Sequence, residues 1–214
     1  ALNNIGLIHR NLGSYTKAIE YFSQAESINN ALNDRRGVAM AWNNLGLIFD
    51  EQGEHTKAQG YHSKSLNVSR EVGDKGYEAF RLQTLGTSYY REQRFSQAMK
   101  SFRESERIFR ELEDTIGAIA SSAWYTLARV KGKDTAGVRT ACTLLDSLLR
   151  SYKNLDEPIV VYWTLSQIHS FLGDDGAPQY YLERAFNEVQ SRATKVADKD
   201  LRSSFLTNVN VNSE

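Results

Sequence analysis

Few side chains in this sequence have the type and spacing to do chemistry. His55 and His62 stand seven residues apart and could share a helix face, as two imidazole ligands of a metal ion would. No third ligand follows at a workable spacing, so a metal site is not expected. Cys142 is the single cysteine and has no histidine near it in sequence. It cannot close an internal disulfide, and in the run Ala141-Cys142-Thr143-Leu144-Leu145 it reads as a small buried hydrophobe. Asp34-Arg35-Arg36-Gly37 and Asp114-Thr115-Ile116-Gly117 have the outline of a nucleotide-binding Asp-x-x-Gly, but no phosphate-cradling glycine loop accompanies them. Neither a Ser/His/Asp nor a Cys/His set is apparent, so no catalytic residue and no cofactor is expected.

Amide chemistry remains. Asn3-Asn4 and Asn43-Asn44 lie 40 residues apart. A carboxamide offers both donor and acceptor and can hold the backbone of an extended peptide regardless of its sequence. Repeated at a fixed spacing, such amides would form a ladder along a bound segment. The alternative is that they bond to a neighbouring helix or to water.

The elements that must position these residues recur. Trp42-Asn43-Asn44-Leu45-Gly46-Leu47-Ile48-Phe49 has near-copies in Leu2 to His9 and in Leu82 to Tyr89, which sets Gly6, Gly46 and Gly86 40 apart. A fixed period of this size marks a repeat array, one elongated domain in which each unit touches only its neighbours. Within a unit, Leu2, Ile5, Ile8, His9 and Leu12 fall at helical spacing and Gly13 ends the pattern. A second helix starts near Tyr15 and runs through Ala18, Ile19, Phe22, Ala25 and Ile28. Gly53 and Gly173 repeat the register of Gly13, with Gln93 standing there in the third unit. Asp34, Asp74, Asp114 and Asn154 suit helix N-caps, which makes the Asp-x-x-Gly stretches caps. Pro158 and Pro178 fit helix starts.

No strand is predicted. The expected fold is all-α, a right-handed α-solenoid spanning residues 1–214. Its units cover about 1–33, 34–73, 74–113, 114–153 and 154–195, and a capping helix covers about 196–209. The fourth unit is irregular, because the 40-residue register puts Thr126 where glycine stood. A two-residue shift, aligning Trp124, Leu127 and Ala128 with Trp42, Leu45 and Gly46, is the preferred reading, with Lys131-Gly132-Lys133-Asp134 as the turn. In the fifth, Tyr162, Leu165, Ser166, His169, Gly173, Tyr181 and Ala185 match the second at an offset of 120. His9 and His169 replace the aromatic of Phe49 and Tyr89 and are expected to pack. Gly6, Gly46 and Gly86, with Ala18, Ala58 and Ala98, would let helices approach closely. That gain repays the roughly 0.5–1 kcal/mol a helical glycine costs. Leu45, Phe49, Phe22 and Phe102 form the expected core.

Composition narrows the partners. The 26 basic and 26 acidic residues cancel, unlike the basic excess of a nucleic-acid binder. The stretch Arg81 to Arg110 holds seven basic and three acidic residues and reads as a solvated helix surface. No apolar run approaches a membrane span and no signal peptide is evident, so the default setting is reducing and cytoplasmic. The sequence opens without Met inside an apolar helical pattern, which suggests a fragment of a longer protein. The apolar face left there would favour self-association.

These residues resemble the tetratricopeptide repeat. Trp42, Leu45, Gly46, Phe49, Ala58 and Ser65 carry the likeness in the second unit; Leu82, Leu85, Gly86, Tyr89, Ala98, Phe102 and Ser105 carry it in the third. The 40-residue period is similar to that of Partner-of-Inscuteable-type scaffolds, kinesin light chains and bacterial peptide-sensing regulators. Leu182-Glu183-Arg184-Ala185 with Leu201 to Val209 resembles the closing segment of repeat arrays in bacterial multidomain signalling proteins that carry an ATPase, kinase or cyclase module.

The resemblance implies a concave groove lined by the first helix of each unit. It would carry Asn4, Leu7 and Asn11, then Asn43, Asn44, Leu47 and Glu51, then Thr84, Thr87 and Arg91, with Trp163, Gln167 and Phe171 in the fifth unit. The implied function is a non-enzymatic scaffold that receives a protein or peptide segment in signalling or assembly. The alternative is a regulatory array acting on an adjoining module of its own parent protein.

Overall fold

A backbone reversal every 20 residues sets the architecture. Gly13, Asn33, Gly53, Gly73, Gln93, Glu113, Lys133 and Gly173 all have positive φ, between 56° and 80°. Directly after each, a backbone N–H reaches the carbonyl five residues back, as in Ser14 to His9, Asp34 to Asn29 and Glu54 to Phe49, each 2.8 Å. That bond closes a helix C-terminus on a left-handed residue. The computed structural model describes residues 1–151, 159–197, 199, 202, 203 and 206.

Among the described residues there are ten helices and no strand: α1 (Leu2–Asn11), α2 (Tyr15–Ala31), α3 (Arg35–Glu51), α4 (His55–Glu71), α5 (Lys75–Arg91), α6 (Phe95–Glu111), α7 (Thr115–Lys131), α8 (Val138–Ser151), α9 (Ile159–Leu172) and α10 (Ala177–Thr194). Consecutive helices pack on one another, so the chain forms an α-solenoid of helical hairpins. The expected cap Asn154, Pro158 and most of the expected capping helix lie outside the described residues. None of the described helices is long and apolar enough to cross a membrane.

The left-handed turns are not all glycine. At Gln93 (φ 60°) an L side chain costs roughly 1–2 kcal/mol, while glycine there would forfeit about 0.4–1 kcal/mol through the entropy of the unfolded chain. Gln93→Gly is therefore expected to raise stability by about 0.5 kcal/mol. Thermal unfolding followed by circular dichroism checks this, and a lower melting temperature would refute it.

Helices α3, α5 and α7 begin on aspartate. Asp34, Asp74 and Asp114 accept hydrogen bonds from the N–H of Gly37 (3.0 Å), Tyr77 (3.3 Å) and Gly117 (2.9 Å). Each satisfies a donor that the helix cannot. Pro178 stands in the first turn of α10, where its missing N–H leaves no bond unmade.

Within each of the first three hairpins, a glycine of the first helix takes a ring of the second. A Cβ added at Gly6, Gly46 or Gly86 would lie 2.5, 2.6 or 2.7 Å from Phe22, His62 or Phe102 respectively. The three rings are fully buried, as are Ala18, Ala58 and Ala98. Serine hydroxyls add a second tie, Ser65 to the Ala39 carbonyl (2.6 Å) and Ser105 to that of Ala79 (2.7 Å).

The fourth hairpin corrects the two-residue shift. α7 has the same length as α5, 17 residues, and starts 40 positions later, so Thr126 does occupy the glycine position and is buried. Its Oγ1 donates to the Ser122 carbonyl (2.8 Å). The ring position falls on Cys142, also buried. The bulk has changed sides, larger on α7 and smaller on α8, and register survives without the glycine. α8 lacks the first turn of its counterparts, and α9 packs on α7 directly, with the Trp124 and Trp163 ring centroids 5.9 Å apart.

His9 and His169 do pack on rings. His9 stacks on Tyr21, Phe49 on Tyr61 and His169 on Tyr181, all with centroids 5.3–5.4 Å apart.

Candidate docking groove

The first helices α1, α3, α5 and α7 touch their successors more closely than the second helices do. This puts them on the inner side of the array, where helices crowd. The residues expected to line that side separate into two groups.

One group is used up in the joints. Asn43 is 3% exposed and accepts from Thr84 Oγ1 (3.2 Å), which also bonds the Arg81 carbonyl (3.0 Å). That pair ties α3 to α5 across 41 residues. One unit earlier, Asn3 and Asn44 stand at the same 41-residue separation. There Asn44 Nδ2 and Asn3 Oδ1 are both buried and neither makes a hydrogen bond. Asn43 and Thr84 are therefore corrected from groove residues to joint residues, and Asn44, 6% exposed, is buried as well and not open to a ligand. The reason is angular: along a helix each residue turns the face by about 100°, and positions 43 and 44 fall toward the neighbouring helix. Glu51 is paired with Arg10. Burial and the Glu51 carboxylate together push the Tyr15 hydroxyl up to about 12.

The other group remains accessible. Asn4, Asn11 and Arg91 are exposed, and Leu7, Leu47, Thr87, Trp163 and Gln167 are half-buried. Leu7 and Trp163 also contact the buried core, and Thr87 Oγ1 bonds back to the Gln83 carbonyl (3.0 Å).

An apolar cleft that sequence reasoning missed opens between α5 and α7. Its volume is about 660 Å³, and Tyr77, Phe80, Gln83, Ile116 and Ala120 line it, with Asp74 and Asp114 at its edge. Tyr77, Phe80 and Ile116 are 43%, 40% and 45% exposed, unusual for large apolar groups clustered on one face. They lie in the first two turns of α5 and α7, ahead of the repeated signature, so the search for a repeated motif passed over them. The available signal was an aromatic pair three residues apart, outside the core stripe.

Next to Tyr77, Arg81 is 3% exposed, its guanidinium 4.7 Å from the Tyr77 ring centroid and its Nε donating to Ser65 Oγ. Burial pulls its pKa down to about 10, although Tyr77 and Asp74 oppose the shift. The rest of the basic stretch lies largely on the outer surface. Lys100, Arg103, Arg107 and Arg110 of α6 border a cleft of about 800 Å³ together with Glu104, Glu106 and Asp134. Arg110 pairs with Glu106 (2.7 Å) and Arg107 with Glu111 (2.5 Å), so much of that charge is neutralised locally.

A family model described as Tetratricopeptide repeat matches residues 1–71 and 37–111, together just over half of the 214 residues. No curated protein gave a significant match. Among solved structures, the apo form of RapI is similar over 90% of this chain and 69% of its own, at 12% identity and a TM-score of 0.74. A Rap protein complexed with competence and sporulation factor is similar over 99% of this chain, at 14% identity and a TM-score of 0.72. The chain spans 61% of that protein, less than two thirds of its length. A putative kinesin light chain with nearly identical repeats, from Podosopora anserina, is similar over 91% of this chain and 95% of its own, at 11% identity and a TM-score of 0.67.

Proposed function

Because the chain belongs to the tetratricopeptide repeat family, we propose that it is a docking scaffold that receives a segment of another protein in signalling or assembly. The segment binds on the first-helix face, at the cleft between α5 and α7. The observation that carries this reading is the cluster of Tyr77, Phe80 and Ile116, three large apolar side chains left 40–45% exposed around one concavity. Exposed aromatics in a concave setting are the usual anchors of protein recognition. The ligand is a segment with apolar side chains that enter the cleft. Arg91, Asn11 and Asn4 are open polar groups for its flanks. The similarity to a Rap protein solved with competence and sporulation factor supports a binding role for this fold.

A peptide-display selection on the immobilised protein tests this. Peptides enriched by the wild-type chain should be rich in apolar residues. Phe80→Asp should weaken them by about 2 kcal/mol, roughly thirtyfold, as loss of an anchor does. Phe80 is exposed enough that the melting temperature should hold. Selected peptides that bind Phe80→Asp and Ile116→Asp as well as wild type would place the site elsewhere.

A further inference from the structure

We propose that Cys142 and Asp146 of α8 and His169 of α9 form a binding site for a thiophilic divalent metal ion of the zinc class. The three residues are distant in sequence, but their donor atoms all lie within 4.8 Å of one another. His169 Nε2 is 3.2 Å from Cys142 Sγ and 3.1 Å from Asp146 Oδ2. Cys142 and Asp146 are one helical turn apart and share a face, and α9 brings the imidazole to both.

The surroundings of the imidazole point to a cation. His169 Nδ1 lies 2.8 Å from Asp174 Oδ2, and Arg139 holds that carboxylate from its other oxygen at 2.7 Å. With Nδ1 donating to Asp174, Nε2 turns its lone pair toward a sulfur and a carboxylate. Three electron-pair donors then converge on one point, an arrangement relieved by a proton or a metal ion. A carboxylate behind a ligating histidine is the common outer-shell partner of zinc sites. Asp146 is held in the same way, since Tyr181 donates to its Oδ1 (2.6 Å) while Oδ1 and Oδ2 lie 3.2 and 3.1 Å from the imidazole Nε2.

Zinc fits the donors and the dimensions. Thiolate with imidazole selects zinc-like ions over magnesium or calcium. Bond lengths of about 2.0–2.3 Å in a tetrahedron place ligand atoms roughly 3.3–3.6 Å apart, so the two pairs that share His169 Nε2 open by only a few tenths of an ångström, with all the donors within 4.8 Å of one another. The Asp146 side chain is 18% exposed, against 9% for His169, so water reaches the fourth position from the carboxylate side.

The order Cys142, His169, Asp174 also matches a nucleophile, base and orienting acid. The thiol is 1% exposed, and burial, with Asp146 and Asp174 adding to it, pushes it up to about 12. That burial seals it from any substrate, which argues against covalent catalysis. Metal binding would instead release the thiol proton to solvent and pin α8 to α9, a joint where the two helices otherwise touch sparingly.

Titrating the metal-free 214-residue chain with Co(II), followed by Zn(II) competition, tests the site. One equivalent of Co(II) should give a thiolate charge-transfer band and tetrahedral d–d bands that Zn(II) removes, and Zn(II) should raise the melting temperature. Cys142→Ser should abolish the charge-transfer band. Asp174→Asn, which touches the metal only through His169, should weaken Zn(II) roughly 10–100-fold. His55→Gln, at the separate His55–Asp50–His62 cluster, should bind as wild type does. Circular dichroism establishes that each variant is folded. No charge-transfer band in the wild type, a band that survives in Cys142→Ser, or equal Zn(II) affinity in Asp146→Asn and wild type would overturn the proposal.

Discussion

Gly86→Thr is expected to destabilise the array, and adding Phe102→Cys is expected to recover part of the loss. A Cβ at position 86 would lie 2.7 Å from Phe102 Cε1 and 2.8 Å from Cδ1. That ring is fully buried and stacks against Trp124 at 5.8 Å, so it has no room to retreat. Overpacking of this kind costs about 1–3 kcal/mol. Phe102→Cys alone removes most of a buried ring and should cost about 3–5 kcal/mol, by analogy with Phe→Ala. The fourth hairpin carries the combination naturally, Thr126 on α7 and Cys142 on α8, both buried. The double variant copies that joint and should be more stable than the sum of the singles predicts, by about 1 kcal/mol or more. Urea unfolding of the four proteins measures the coupling. Additive losses would mean that the two positions do not meet and that the repeated glycine has another cause.

The same joints show what a sequence reader can see. The glycine at 6, 46 and 86 and the aspartate at 34, 74 and 114 are visible because each position has one dominant physical demand, a ring pressing on the helix or an unpaired N–H. Gln93 in a left-handed turn and Thr126 at a glycine position show the limit. There a second residue or the local backbone absorbed the change, and only coordinates reveal which.

The amides were harder, since Asn43 is equally suited to a peptide or to Thr84. The choice depends on a rotation of one residue about the helix axis, and periodicity with uncertain boundaries does not resolve that. Tyr77, Phe80 and Ile116 lie outside the repeated motif, so nothing about the repeat drew notice to them. Cys142 and His169 are 27 residues apart. Their meeting depends on the shortened α8 and on the way α9 packs against α7, tertiary facts with no local signature.

Stability that depends on Asp50 should disappear in acid. The Asp50 side chain is 2% exposed, with Oδ1 3.0 Å from His55 Nδ1 and Oδ2 3.1 Å from His62 Nε2. Burial alone would push this carboxyl up. The hydrogen bonds from His62 and His55, then the His62 charge and Ser88, outweigh it and hold the pKa below the usual aspartate value. In the unfolded chain that value is about 3.9. The folded state therefore takes up the proton at lower pH than the unfolded state does. The resulting contribution is complete above about pH 4 and declines as pH falls toward the folded pKa.

Asp50→Asn keeps the shape but loses the anion, and should cost about 1.5–3 kcal/mol at neutral pH, the range for hydrogen bonds to a charged group. Glu78 is also held low, so the wild-type acid limb is a sum over several groups, and the difference between wild type and variant isolates Asp50. Urea midpoints from neutral pH down through the carboxylate range should converge as pH falls below about 4. Two curves that stay parallel would show that Asp50 has the same pKa folded and unfolded.

His62→Phe provides an independent check, because phenylalanine is what the neighbouring hairpins carry at positions 22 and 102. If ring packing on Gly46 were all that mattered, the change would be neutral. It leaves a buried carboxylate with one imidazole partner where it had two, and the expected outcome is a loss that Asp50→Asn in the same chain partly reverses.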